Sequence, residues 1–436
     1  MLTLLGPYTT LVLTAVLVGL FSFAKDLAVA AAFGASPALG AIIFCITLMS
    51  VPVNVALGAL QTVYIPTILK LRAAGDPSAQ SVSDQLLFVV LTFGICGSLV
   101  CLGIFTVPTF ISMLSFESLT EASFSQSVKL LGCLFFLGCL NWWLQTELLA
   151  RKHYFRSSGI GVVTPAVVGV ALISSPTNPP VTVLIGGLLV GGMLEVIIGG
   201  MLCWSGAPRA RLVSGPALPA VVGVLRGAGT AIVGSVSFSV AEIVDQSMLL
   251  RVGTASVATF AFASKVPSFL ISLFALSLGR LLLPHFSQLV AEGRVGEARE
   301  LAYRLIAWVG GLSLVAAVGL SMFSHSLTEL LFQRGQFDGA ATDEVSAIQS
   351  ALFFVIPVFI GGMIPARLVA ALGRVDAIAR AAASCLVLKV LCNFWFIDLY
   401  GAVGVGYSSS VIYSLFMVMM LWQLPNICRK HDPGQH

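Results

Sequence analysis

The sequence predicts an all-α polytopic membrane protein with about twelve transmembrane helices in two six-helix lobes. Three observations predict this class: the composition, the succession of long apolar stretches, and a set of residues that occurs twice. Hydrophobic residues make up 58% of the 436 and charged residues only 10%, whereas about 25% charged residues is usual in soluble domains. The mean hydropathy of +1.00 agrees with a chain that lies largely in lipid.

Apolar stretches long enough to cross a bilayer, about 20 residues each, follow one another along the whole chain. The predicted spans are 8–33, 39–69, 85–111, 126–150, 159–175, 181–204, 219–250, 256–287, 302–331, 346–371, 378–397 and 402–424. Several exceed the minimum length, which predicts tilted helices, kinks or ends that extend beyond the bilayer.

Part of the sequence forms an internal repeat. Four residues of the first copy recur 219, 219, 218 and 218 positions later: Asp26, Gly34, Pro66 and Gly75 as Asp245, Gly253, Pro284 and Gly293. A shared register of Asp, Pro and Gly is hard to obtain by chance in so apolar a chain. Duplicated halves are typical of secondary transporters, whose substrate path lies between the repeats. We therefore predict lobes at 1–206 and 207–436, joined by the Pro-, Gly- and Arg-rich segment 205–219.

Basic residues are concentrated in alternate loops. If the N-terminus is cytoplasmic, the inner loops and tail hold fifteen of them: Lys70, Arg72, Arg151, Lys152, Arg156, Arg209, Arg211, Arg294, Arg299, Arg304, Arg367, Arg374, Arg380, Arg429 and Lys430. The outer loops hold two, Arg251 and Arg334. This bias predicts that both termini are cytoplasmic. The net charge of +4 then reflects topology and contact with anionic lipid, and we expect no nucleic-acid partner.

Motifs of catalytic chemistry are not found in the sequence. There is no GxxxxGK[ST] phosphate loop, the five histidines have no metal-ligand spacing, and the nine cysteines form no CxxC pair. We therefore expect neither enzymatic activity nor a cofactor or metal ion.

Charged residues inside the predicted spans are the candidates for a functional site, because a charge in hydrocarbon is costly and usually serves a function. They are Lys25, Asp26, Lys129, Glu147, Glu195, Arg226, Glu242, Asp245, Lys265, Arg280 and Lys389. Lys129, Glu147, Arg226 and Arg280 lie within about two turns of a span end, where we expect the side chain to reach the interface.

Two of the remaining cations lie at a similar predicted depth. Lys25 and Lys265 are about eight and about ten residues from the outer ends of their spans, or roughly 12–15 Å below the outer surface. One explanation is a joint site for an anionic group in a central cavity. The other is that both lysines neutralise Asp26, Asp245 or Glu242 in ion pairs. The sequence leaves both explanations open.

Several segments carry a resemblance to a known family: FAKDLAVAAAFGA, YIPTI, VDQSMLLRVGTASVATFAFASK, LLLPHFSQLVAEG and ELLFQRGQFD. They resemble the MurJ (MviN) lipid-linked saccharide flippases of the MOP (multidrug/oligosaccharidyl-lipid/polysaccharide) exporter superfamily, from about residue 20 to about residue 400. The resemblance implies a MOP/MATE-like fold with a V-shaped central cavity, in the bacterial inner membrane. It also implies that an undecaprenyl-diphosphate-linked saccharide is flipped from the inner to the outer leaflet by alternating access.

The family's cavity residues are only partly matched. Lys25 and Asp26 match a basic and an acidic residue of its first span, and Lys265 a basic residue of its eighth. Other cavity charges of the family are replaced here, by Gly19, Gly40, Val53, Asn54 and Ser264. Two C-terminal helices common in peptidoglycan flippases have no counterpart among the twelve predicted spans. The predicted substrate-binding residues are Lys25, Lys265, Asp26 and Asp245, with Glu195, Arg226 and Asn54 as secondary cavity candidates.

Three functions other than lipid II flipping stay open at this point. The chain could flip a repeat unit of an exopolysaccharide or O-antigen. It could be a MATE-like cation or drug antiporter, which needs cavity carboxylates such as Asp26, Glu195 and Asp245. It could also be a non-transporting scaffold for wall or polysaccharide assembly proteins. We expect a monomer whose partners are membrane lipids and a lipid-linked saccharide.

Overall fold

The computed structural model describes residues 2–76, 78–107, 122–175, 179–204 and 218–429. Within these ranges the chain forms helices and no strands. The first part contains α1 (Leu2–Phe33), α2 (Pro37–Ala73), α3 (Ser78–Thr106), α4 (Ala122–Ala150), α5 (Tyr154–Gly159), the 3₁₀ turn Ile160–Val162, α6 (Val163–Ile173), α7 (Val181–Trp204) and α8 (Leu218–Leu249). Most of the predicted connecting segment, 205–217, lies outside the described residues.

The second part contains α9 (Thr254–Ala263), α10 (Lys265–Ala291), α11 (Val295–Leu305), the π-helical segment Ile306–Gly310, α12 (Gly311–Met322), α13 (Ser324–Phe332), α14 (Gly339–Phe353), α15 (Val355–Ala371), α16 (Val375–Tyr400) and α17 (Val403–Arg429). Each predicted span overlaps one or more of the helices. By length and hydropathy, nine segments of the described chain are able to cross a membrane, or ten if the bent pair α9–α10 is one span. The predicted all-helical, multi-span class is confirmed.

Two predicted spans are broken at prolines. The helices α9 and α10 meet at 43°, and α9 ends at Ala263, four residues before Pro267. In the same way α14 ends at Phe353, four residues before Pro357. A proline lacks the amide hydrogen that would bond to the carbonyl four residues earlier, and its ring clashes with that carbonyl. Proline therefore explains the 43° bend between α9 and α10 and the interruption between α14 and α15, which together still form one span, Gly339–Ala371.

The described chain divides into two compact units, Met1–Ser239 and Val240–His436, and the division falls inside α8. In the first unit, α4 packs against α2, α3 and α7, and α1 packs against α5 and α6. In the second unit, α17 packs against α14, α15 and α16. The predicted lobes, 1–206 and 207–436, stay a prediction.

The repeated glycines mark equivalent turns in the two copies. Gly34 and Gly253 follow the first span of each copy and have φ angles of 56° and 156°. Gly75 and Gly293 follow the second span, with φ angles of 66° and 74°. Glycine adopts positive φ at little cost while other residues do not. Gly75 and Gly293 therefore share a left-handed conformation, whereas Gly34 and Gly253 share only the positive sign of φ.

The segment ELLFQRGQFD has a structural role in the second unit. Phe332 and Phe337 are each about 1% exposed, and both ring centroids lie 5.6 Å from that of Phe262. Asp338 precedes α14 and its carboxylate accepts a hydrogen bond from Ala341 N at 2.8 Å, which satisfies one of the free amides at the helix start. The motif thus supplies an aromatic cluster and a helix cap.

Candidate functional site

The adjacent charges of α1 form an ion pair. Lys25 Nζ lies 3.0 Å from Asp26 Oδ1, and the two side chains are 22% and 11% exposed. An ammonium group has three N–H donors, and this contact uses one of them. Lys25 therefore has donors left for an anionic ligand, which would compete with Asp26 for the ammonium group.

The sequence offered Lys25 and Lys265 as possible partners of Asp245, but the structure pairs Asp245 with Lys389. Its Oδ1 lies 3.1 Å from Lys389 Nζ and accepts a hydrogen bond from Asn393 Nδ2 at 2.8 Å. Lys389 Nζ also donates to Ser409 Oγ at 2.8 Å. The side chains of Asp245 and Lys389 are only 10% and 5% exposed, so the carboxylate is neutralised in the interior of the second unit.

The sequence contains a signal for this cluster. Lys389 and Asn393 are four residues apart, and residues at this spacing lie on one face of a helix. Both are buried. A cation and an amide on one face of α16 indicate a polar partner on a neighbouring helix, and the structure provides it as Asp245 of α8.

Lys265 is the first residue of α10 and is half-buried. Glu242 of α8 lies close enough to Lys265 and to Asp245 to interact electrostatically with both. Lys25 and Lys265 thus each have a carboxylate nearby within their own unit. This geometry agrees with the ion-pair explanation, and their joint binding of an anion stays a prediction.

The secondary candidates have different surroundings. Glu195 is 5% exposed and accepts hydrogen bonds from Thr164 N, at 3.0 Å, and from Asn141 Nδ2. Within the described chain no basic side chain forms an ion pair with it. Glu195 therefore lies inside the first unit, where it joins α4, α6 and α7, whereas Arg226 and Asn54 are exposed.

The expected position of Glu147 at the interface is wrong. Its side chain is 5% exposed and its carboxylate is enclosed by four donors. Arg72 Nη2 and Arg151 Nε lie 2.7 and 2.8 Å from Oε1, while the hydroxyls of Tyr64 and Ser83 lie 2.5 and 3.3 Å from Oε2. Charge-assisted hydrogen bonds are the strong ones, so Glu147 ties α2, α3 and α4 together instead of extending to the interface.

Metal ligation finds no support in the described part of the chain, where no three His, Cys, Asp or Glu side chains converge as metal ligands would. The charged groups of α1 and α8 instead form the ion pairs Lys25–Asp26 and Asp245–Lys389. Such pairs suit exchange of one ionic partner for another, because a charge leaving its partner in a medium of low dielectric needs a replacement.

Comparison with known proteins gives a match over nearly the whole chain. The family model described as "Lipid II flippase MurJ" matches residues 29–434. A "Probable lipid II flippase MurJ" of Bdellovibrio bacteriovorus is 23% identical over 290 residues, which are 64% of this chain and 55% of the relative. The protein described in the same words from Rhizobium meliloti is 23% identical over 362 residues, 78% of this chain and 65% of the relative. The chain thus spans less than two thirds of the length of these relatives.

Solved structures show the same fold. A "Lipid II flippase MurJ, inward closed conformation" superposes with a TM-score of 0.77 at 15% identity, covering 97% of this chain and 89% of the other. An inward-facing "multidrug resistance MATE family transporter of the MOP superfamily" superposes with a TM-score of 0.79 at 15% identity, covering 96% of both chains. At this identity the likeness concerns the fold alone.

Proposed function

Since this chain belongs to the lipid II flippase MurJ family, we propose that it flips an undecaprenyl-diphosphate-linked saccharide from the inner to the outer leaflet. The family match over residues 29–434 carries this proposal. The multi-span helical fold, shared with solved MurJ and MATE transporters, supports it. Transport by alternating access needs no bond to be made or broken, which agrees with a sequence that has no catalytic motif.

The diphosphate is the part of this substrate that the intramembrane cations would bind. Lys25 retains unused N–H donors beside Asp26, and a phosphate oxygen is a strong acceptor for an ammonium group. In the empty protein Asp26 keeps Lys25 from being a buried, unpaired cation, which would cost several kcal/mol. The diphosphate would replace Asp26 as the partner, and Asp26 would return when the substrate leaves.

Lys265 is the second proposed contact with the diphosphate. Its nearby Glu242 would play the part that Asp26 plays for Lys25. Asp26 and Asp245 then act as exchange partners or structural anions rather than as direct ligands of a negatively charged group, because like charges repel.

The saccharide itself is proposed only as a class: a lipid II-like peptidoglycan precursor or a related polysaccharide repeat unit. Gly19, Gly40 and Val53 stand where the family has charged cavity residues, which leaves room for a substrate other than lipid II. Neutralisation of Asp245 by Lys389 removes one of the three carboxylates that a cation antiporter would have used, and this favours the flippase.

The membrane and orientation belong to the same proposal. The excess of basic residues in alternate loops supports cytoplasmic termini, and the family supports the bacterial inner membrane. We further propose that the protein acts as a monomer, and that assembly proteins for the wall or a polysaccharide use the flipped product.

Depletion of the protein in its native bacterium tests the proposal. An undecaprenyl-linked saccharide should accumulate in the inner leaflet, while sensitivity to cationic dyes stays unchanged. Dye efflux that depends on Asp26 or Glu195, together with normal pools of lipid-linked saccharide, would show a drug antiporter instead.

A further inference from the structure

A groove with a volume of about 400 Å³ opens on the first unit. It is formed by α1, by α5 with the following 3₁₀ turn, and by the end of α7. The residues that line it are Thr14, Leu17, Phe21, Phe155, Arg156, Gly159, Ile160, Val162, Val163, Ile198 and Leu202. Apart from Thr14 and Arg156, all of these side chains are apolar.

Three large apolar side chains of this groove are exposed. Leu17 and Phe21 of α1 are 40% and 44% exposed, and Phe155 of α5 is 60% exposed. In a segment that crosses the membrane, such side chains contact hydrocarbon. A saccharide would find almost no hydrogen-bond partners on these walls and would lose its hydration, whereas a lipid chain loses nothing. The groove therefore suits a lipid chain.

Arg156 is the charged residue of the groove. It lies in the first turn of α5, directly after a loop that contains the exposed Lys152. Its guanidinium is exposed, and within the described chain it makes no hydrogen bond or ion pair, in contrast to Arg72 and Arg151, which both bind Glu147. A guanidinium group binds phosphate through two parallel hydrogen bonds. An unused guanidinium at the rim of an apolar groove is complementary to a phosphate that carries a hydrocarbon chain.

We propose that this groove binds one anionic phospholipid, with its phosphate on Arg156 and one acyl chain against Leu17, Phe21 and Phe155. Basic pockets between transmembrane helices on the cytoplasmic side are typical sites for anionic headgroups, and the charge bias assigns the Arg156 loop to that side. The proposal is independent of the transported substrate, because it concerns a lipid held on the first unit.

A lipid bound in this groove would lie close to the Lys25–Asp26 ion pair of α1. Phe21 and Lys25 are four residues apart and thus lie on the same face of α1. The axial rise between them is about 6 Å. A lipid that packs against α1 beside α5 and α7 would therefore restrict the helix that carries Lys25.

Two substitutions separate the headgroup contact from the chain contact. Arg156→Gln removes the guanidinium group that would bind the phosphate. The Arg156 side chain is exposed and makes no hydrogen bond or ion pair within the described chain, so its loss should not disturb the fold. Gly159→Leu fills the groove, and a Cβ at Gly159 would meet no atom within 4 Å, so the backbone is not strained. Gly169→Leu is the matched control: it also lies in a helix with nothing within 4 Å, but it does not line the groove.

The measurement is the retention of lipid by the purified full chain, followed by native mass spectrometry with phosphatidylglycerol, phosphatidylcholine or undecaprenyl phosphate added. The wild type and Gly169→Leu should retain one phosphatidylglycerol in preference to phosphatidylcholine. In Arg156→Gln the preference for phosphatidylglycerol over phosphatidylcholine should fall about tenfold, which corresponds to about 1.4 kcal/mol. Gly159→Leu should retain neither lipid.

Three results would overturn the proposal. Equal retention of phosphatidylcholine by the wild type would show that charge does not select the lipid. Wild-type retention of phosphatidylglycerol by Arg156→Gln would place the headgroup elsewhere, and this variant decides the matter even if Gly159→Leu fails to fold. Undecaprenyl phosphate that displaces phosphatidylglycerol with the same dependence on Arg156 would make the occupant a polyprenyl lipid.

Discussion

In the second unit the carboxylate of Asp245 lies 3.1 Å from the ammonium group of Lys389. Asp26, the counterpart of Asp245 in the first copy of the repeat, is paired with Lys25, the residue directly before it. The residue before Asp245 is Val244, and the cation comes instead from α16. Both copies of the repeat thus contain an aspartate that is neutralised by a lysine. In the first copy this lysine is the preceding residue of the same helix, and in the second copy it belongs to another helix, α16.

Removal of one partner of the Asp245–Lys389 pair should destabilise the protein strongly. Lys389→Met leaves a buried carboxylate without its cation, and such a loss costs about 3–5 kcal/mol. We expect a lower midpoint of thermal unfolding in detergent and lower abundance in membranes. The double variant Asp245→Asn/Lys389→Met should recover most of the loss, because it removes both charges. If the single and double variants unfold at the same temperature as the wild type, the pair does not stabilise the second unit.

Two ion pairs with the same helical spacing should differ in importance because they differ in burial. The carboxylate of Glu147, paired with Arg151, is 5% exposed, whereas Glu300 and Arg304 are 63% and 70% exposed. Glu147→Gln leaves two arginines without their anion and should lower the unfolding midpoint markedly. Exposed pairs contribute only about 0–1 kcal/mol, so Glu300→Gln should change little. Equal effects of the two substitutions would contradict the role of Glu147 as a tie between helices.

The repeated turn glycines should tolerate a methyl group less well than a helical glycine. Gly75 and Gly58 both have open space around an added Cβ, but Gly75 has a φ of 66° and Gly58 lies inside α2. The left-handed conformation costs other residues roughly 1–2 kcal/mol, while Gly→Ala inside a helix gains up to about 1 kcal/mol. Gly75→Ala should therefore lower the unfolding midpoint and Gly58→Ala should leave it unchanged or raise it. The reverse order would argue against positive φ at Gly75.

Reporter fusions test the orientation. Fusions after residue 75 and after residue 293 should report a cytoplasmic location, because the loops there belong to the basic set. Fusions within 332–345, where Arg334 stands among acidic residues, should report the outer side. The predicted outer loop 112–125 lies mostly outside the described residues, and a fusion there should agree with the one in 332–345. An external report after either 75 or 293 would reverse the proposed topology.

Several features of the fold were predictable because they depend on local sequence. Apolar length located the spans, and the glycine register located turns that share positive φ. The side-chain contacts were less accessible, because a span gives no direct measure of which way each face of its helix points. Glu147 illustrates the limit: its distance from the end of α4 suggested an interfacial side chain, but its rotation directs it toward Arg72 and Tyr64.

The groove around Arg156 was also beyond the sequence. Its walls come from α1, α5 and α7, and their meeting depends on tertiary packing that no single stretch encodes. In contrast, the ion pair of Lys25 and Asp26 was one of the two explanations that the sequence offered, because the residues are adjacent and a lone intramembrane charge needs a partner.

The measurement that tests the central claim most directly is the flipping of a fluorescent undecaprenyl-diphosphate-linked saccharide by variants in proteoliposomes. If Lys25 and Lys265 hold the diphosphate, Lys25→Ala and Lys265→Ala should each reduce flipping per folded molecule at least about tenfold, which corresponds to about 1.4 kcal/mol. Because Lys25→Ala also leaves Asp26 without its ion-pair partner, the amount of folded protein is measured for each variant and the flipping rate is divided by it. Arginine should substitute better than glutamine at either position, because the site needs positive charge, and Arg226→Ala should flip at nearly the wild-type rate. Normal flipping by both lysine variants, at normal abundance, would contradict the account and make both lysines purely structural.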